Sequence, residues 1–118
     1  MNKLDKLGKL ISEDLRDSAL SRYLDIESGS LRSKKAMGLN KELSSFSEEQ
    51  KEIVRKILTN SIDAGIHDFL FALEEGQSEV RVMVEGEDMA DLSDGLQGEI
   101  FTEDGWFEKY SRYKESGI

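Results

Sequence analysis

The feature that most constrains this chain is an apolar series that keeps one helical phase without a break. Val54, Leu58, Ile62, Ile66, Phe69, Leu70 and Leu73 recur at steps of three and four, with Ile53 and Ile57 beside them. A period near 3.6 is that of a helix with one buried face. Ser47-Glu48-Glu49-Gln50 precedes the series and matches a capping box, in which Ser and Gln side chains reciprocally satisfy free backbone N–H groups. The phase persists across Ala64-Gly65, and the chain has no proline to break it. The spacing therefore predicts one helix over 48–75, bent at Gly65 if anywhere, stopped by Gly76, and about 40 Å long.

A second series predicts a helix over 3–27. Leu4, Leu7, Ile11, Leu15, Ala19, Tyr23 and Ile26 form its stripe, and Leu10, Leu20 and Leu24 widen it. Gly8 weakens the first turns by about 1 kcal/mol relative to Ala. Ser28-Gly29-Ser30 supplies the stop. Residues 28–46 read as a connection rich in Ser, Lys and Gly. Its Leu31, Met37, Leu39, Leu43 and Phe46 pin it across the core through short helical turns near 31–36 and 40–45.

The period changes after the long helix. Val80, Val82 and Val84 alternate with Glu79, Arg81, Met83 and Glu85, the pattern of a half-buried strand. Glu85-Gly86 suits the centre of a two-residue hairpin turn. That turn sets Met89 opposite Val82 on the buried face and points Asp88 outward. Glu99-Ile100-Phe101 is a candidate third strand, and Thr102 a candidate cap for a last helix near 103–113. Trp106, Tyr110 and Tyr113 would share one face of that helix. The expected fold is a single α+β domain over 1–118: two long helices packed on a small antiparallel hairpin or three-stranded sheet, with a short C-terminal helix.

Charge limits function more than any motif does. The net charge of -9 is unevenly spread. Residues 29–46 hold Arg32, Lys34, Lys35 and Lys41 against Glu42 alone, whereas Arg81 is the only base between Glu79 and Glu108. Such a field repels nucleic acid, anionic membranes and anionic substrates, and it attracts cationic partners. The basic stretch Arg32-Ser33-Lys34-Lys35 is too short for a nucleic-acid patch in so acidic a chain. There is no cysteine, which excludes disulfides and thiolate chemistry and fits a cytoplasmic protein. The first residues alternate charge with apolar groups, so they read as neither signal peptide nor membrane span.

Few residues suggest chemistry. His67 is the only histidine. It lies four residues after Asp63, within reach on a helix, and next to Asp68. A base or metal ligand at His67 is the enzymatic reading; a structural surface histidine is the plainer one. The acidic run of Glu85, Glu87, Asp88, Asp91 and Asp94 lacks the alternate-residue spacing and glycine of a calcium loop. Glu74 and Glu75 fall in the last turn of the long helix, where the backbone dipole disfavours acids by about 0.3–1 kcal/mol each. Phe101, Trp106, Phe107, Tyr110 and Tyr113 read as core at helical spacing. No dinucleotide, phosphate-loop or nucleophile-elbow pattern occurs. No catalytic residue, metal ligand or cofactor is assigned.

The stretches His67-Asp68-Phe69-Leu70-Phe71-Ala72-Leu73-Glu74-Glu75 and Leu92-Ser93-Asp94-Gly95-Leu96-Gln97-Gly98-Glu99 resemble segments of small uncharacterised bacterial proteins, a likeness spanning 47–113. In size, acidity and lack of catalytic motifs the chain is also similar in type to immunity proteins of bacterial toxin systems. That likeness implies a non-enzymatic domain that neutralises a toxin. A basic protein partner would meet Glu74, Glu75, Glu85, Glu87, Asp88, Asp91 and Asp94. The alternatives are a small-ligand or metal-dependent enzyme built on His67 with a nearby carboxylate, and a mimic of nucleic acid.

Overall fold

A computed structural model describes residues 1–76 and 79–118. It is mainly helical, with one small antiparallel sheet, so the α+β expectation holds at that level. The first helix is continuous from Lys3 to Ser28, and Gly29 ends it in the left-handed region at φ 82°. It has three parts: α1 (Lys3–Leu10), a π-helical segment (Ile11–Asp17) and α2 (Ser18–Ser28). A π turn takes more residues than an α turn, so it shifts the phase of everything beyond it. Ser12, Arg16 and Leu20 are thereby buried, while Leu10 and Leu15 of the predicted stripe face outward.

The connection contains a regular helix in place of short turns. This is α3 (Lys34–Leu43), capped by Ser33, whose Oγ accepts from Ala36 N at 3.2 Å. Asn40 ties α3 to the end of α2 by donating to the carbonyls of Ile26 and Glu27, at 2.9 and 3.0 Å. Next comes α4 (Glu48–Glu74), one unbroken helix with both halves of the capping box formed at Ser47 and Gln50. It runs antiparallel to the first helix, with Arg55 beside Glu27 and Asp63 beside Arg16.

The hairpin forms in the predicted register but is shorter than expected. β1 (Met83–Val84) pairs with β2 (Glu87–Asp88), Met83 opposite Asp88 and Val84 opposite Glu87. Glu85 and Gly86 both have positive φ, 50° and 84°, as a two-residue primed turn requires. Met89 N donates to Val82 O at 3.0 Å, and the Met89 side chain is fully buried. Asp88 is half-buried instead of pointing out, because its side chain caps α5 (Met89–Leu92) through Ala90 N at 3.0 Å.

The expected third strand is absent from the described residues. A 3-10 turn (Leu96–Glu99) stands there, and Ile100 is buried against α4 in the core cluster. The last helix, α6 (Trp106–Tyr110), is shorter than 103–113 and starts from Gly105, not Thr102. Thr102 turns the chain at φ 91°, a conformation incompatible with the cap expected of it. Gly105 fits because a Cβ there would lie 2.3 Å from the Phe101 carbonyl oxygen.

The core is the junction of three pieces. Ile66, Leu70 and Leu73 of α4 meet Leu7 of α1 and the buried side chains Met89, Leu96, Ile100, Trp106 and Phe107. Trp106 lies against Gly8, where a Cβ would sit 2.4 Å from the indole ring atoms. The glycine that weakens α1 locally is thus what admits the tryptophan. Among the described residues no helix is long and apolar enough to cross a membrane.

Candidate functional site

The best-built polar centre lies between the two long helices. Arg16 is wholly buried. Its Nε donates to Asp63 Oδ1 at 2.6 Å and its Nη2 to Asp63 Oδ2 at 3.0 Å. Nη1 donates to Ser111 Oγ at 3.0 Å and to the Lys114 carbonyl at 2.5 Å, and Nη2 also reaches the Glu115 carbonyl at 3.0 Å. A guanidinium has five N–H donors, so none is left for a ligand. The Phe107 ring lies beneath it, 4.1 Å from ring centroid to Cζ. Asp17 extends the centre by accepting from Ser111 Oγ at 2.5 Å and Arg112 N at 2.7 Å. The whole network is consumed in holding residues 111–115 against the helices.

This centre was not legible as a site. Its one signal is a charged residue inside the four-step series Gly8, Ser12, Arg16, Leu20, which is buried throughout. Under α winding that series drifts by about 40° per step; the π segment brings it into line, and nothing local announces the winding.

His67 does not pair with Asp63, because Arg16 holds both oxygens of that carboxylate. Instead Nδ1 of His67 lies 3.2 Å from the exposed Asp68 carboxylate. Its ring stacks between Phe71 and Phe101, each 6.4 Å away by centroid. Among the described residues no group of three His, Asp or Glu side chains converges to hold a metal ion.

The acidic residues divide into engaged and free. Glu74 accepts from Leu96 N at 3.1 Å and so fixes the 3-10 turn to the end of α4. Glu87 pairs with Lys3 at 2.5 Å, Glu85 with Lys6, and Asp88 with Arg81 at 3.1 Å. The lysines of α1 come from far away in sequence, which is why a local charge count leaves these acids unpaired. The Lys6 ammonium holds the Glu85 carboxyl below the usual carboxylate range. Solvent screens exposed pairs of this kind, so they add little to stability, but they tie the hairpin to α1. Glu75, Asp91, Asp94, Glu103 and Asp104 are exposed and make no ion pair among the described residues.

A polar cleft of about 530 Å³ opens between the π segment and α6, with Glu13, Ser18, Ser21, Lys109 and Arg112 on its walls. Asp17 at its edge is already occupied by Ser111 and Arg112, and no histidine faces the cleft. Lys109 is committed as well, to Asp5 at 3.4 Å, and burial works against its charge while that carboxylate more than restores it.

The model of a family of unknown function, DUF6547, matches residues 8–101. The chain belongs to that family. The matched span holds Arg16, Asp63, His67 and the hairpin, whereas the segment gripped by Arg16 lies beyond it. No curated protein and no solved structure matches the chain.

Proposed function

We propose that this chain is a non-enzymatic protein-binding domain whose acidic end receives a cationic protein, a toxin-neutralising immunity role being its most concrete form. One observation supports this above the others. Asp91 and Asp94, with Glu75 nearby, stay unpaired among the described residues although Lys3, Lys6 and Arg81 neutralise their neighbours. Their segment is held against α4 by the Glu74–Leu96 bond. Unpaired carboxylates on a fixed support steer a basic partner and give up little order on binding. The engaged acids Glu74, Glu85, Glu87 and Asp88 serve as the support.

The test is a comparison of two baits, the natural chain and an Asp91→Lys/Asp94→Lys variant. The natural chain should retain a basic protein from its own cells at low salt and release it at high salt. The variant should retain none while keeping its circular dichroism spectrum. The captured protein should be toxic when expressed alone and harmless beside this chain. Equal retention by both baits, or retention indifferent to salt, defeats the reading.

A further inference from the structure

We propose that the open side of the helical pair docks a second copy of this chain, the two copies running antiparallel about a two-fold axis. This surface meets the acidic end only at Glu75.

α4 has two covered sides, one against the first helix and one against residues 89–107. Its third side is uncovered. Two grooves follow one another there, of about 330 and 440 Å³. Leu15, Ala19, Gly65 and Phe69 line the first; Tyr23, Leu39, Phe46 and Ile57 line the second, with Glu42 the one charged group on either. In a chain whose residues are 35% charged, a strip with Glu42 as its one charged lining residue is a marked departure. Leu15, Ile57 and Phe69 are 51%, 58% and 54% exposed, although each belongs to a regular apolar series. Contiguous apolar surface of this kind marks an association site.

Size, shape and charge select the occupant. Two helices side by side, about 40 Å long and about 20 Å across, present about 800 Å², the share each partner contributes to a stable interface. The strip is also complementary to itself. Ser61, Gly65 and Ala19 form a low floor, and a Cβ on Gly65 would have nothing within 4 Å. Leu15 and Phe69 stand up beside that floor. A two-fold axis passing near Ser61 and Gly65 brings Phe69 of one copy over Ile57 of the other.

Charge sets the direction. At one end of the strip α3 carries Lys34, Lys35 and Lys41 against Glu42, and the first turns of α4 add Glu49, with Glu48 and Glu52 paired to Lys51 and Lys56; at the opposite end Asp68 and Glu75 stand against Lys9 of α1. Antiparallel copies set the basic end of each against the acidic end of the other. Parallel copies would set like against like. A closed two-fold pair is also the commonest oligomer of soluble proteins.

Sedimentation equilibrium of the full chain tests this. The expected result is a reversible dimer. The Ile57→Asp/Phe69→Asp variant should keep its circular dichroism spectrum, since both side chains are exposed, and should raise the dimer dissociation constant by about 100-fold or more. Lys34→Glu/Lys41→Glu and Asp68→Lys/Glu75→Lys should each weaken self-association. Mixed together, they should associate more tightly than either does alone. A natural chain that stays monomeric to about 1 mM (roughly 4 kcal/mol of association at most), or a dimer indifferent to Ile57 and Phe69, overturns the proposal. So does a dimer disrupted at Ile57 and Phe69 whose two charge variants gain nothing on mixing, since the antiparallel arrangement then falls.

Discussion

Arg16 and Asp63 form a closed pair, two parallel hydrogen bonds of 2.6 and 3.0 Å between residues on facing helices, sealed from solvent by the Phe107 ring and the turn at 111–115. Removing one partner strands the other charge in the interior. Arg16→Met should therefore cost about 3–5 kcal/mol, a large part of the total stability of a domain this size. Urea unfolding measures it. Arg16→Met with Asp63→Leu should recover much of the loss, because no charge is then left unpaired. In the single variant, amide exchange at 112–118 should accelerate, since the carbonyls of Lys114 and Glu115 lose their donors.

Gly8→Ala should destabilise the protein although alanine favours helix by about 1 kcal/mol. The new methyl meets Trp106 ring atoms at 2.4 Å, and the indole is buried with no space to retreat. Overpacking of this kind costs about 1–3 kcal/mol, so a net loss is expected. The near-ultraviolet dichroism of the only tryptophan reports the displacement directly.

Thr102→Gly should act in the opposite sense. A β-branched residue at φ 91° is strained, and glycine adopts that conformation without a steric penalty. The gain is about 1 kcal/mol, reduced by the extra freedom glycine gives the unfolded chain. An unchanged or lower urea midpoint would contradict it.

Tyr23 should make the fold sensitive to alkali. Burial pushes its hydroxyl up to about 12, and the nearby Glu27 carboxylate adds to the shift. The folded state thus favours the protonated phenol. That contribution is complete below the ordinary tyrosine value of 10.0 and is lost as pH rises from there to about 12. Tyr23→Phe should flatten the fall in stability across that window. Glu27 behaves as the mirror case: its bond from Arg55 holds its carboxyl low, so its contribution is present above the ordinary carboxylate value and disappears as pH falls through the lowered one.

What could be read in the sequence was what short-range chemistry decides. The capping box at Ser47, the continuity of α4 through Gly65 and the Glu85-Gly86 turn all depend on residues within a few positions of one another, and each formed as expected. The sign and uneven spread of the charge were equally plain. The errors arose where a distant segment intervened. Arg16 reaches Asp63 across 47 positions, whereas helical spacing alone offers Asp63 to His67. Lys3 and Lys6 meet the hairpin from more than seventy residues away, so the local acidic run gives no sign that Glu85 and Glu87 are paired. Periodicity shows which face is apolar, not whether anything covers it, so the exposure of Ile53, Ile57 and Phe69 is not legible from their spacing.

The π segment between Ile11 and Asp17 also constrains how the length of this chain can vary. Losing one residue there would absorb the wide turn and keep the two ends in phase, whereas rewinding to α with every residue kept would turn Lys3–Leu10 by about 100° relative to α2. Leu7 would swing out of the core, and a side chain would replace Gly8 against the indole. The wide turn is therefore the one stretch of this helix that can give up a residue without re-aiming its two ends, while a loss elsewhere in it displaces Leu7 and Gly8 from the indole.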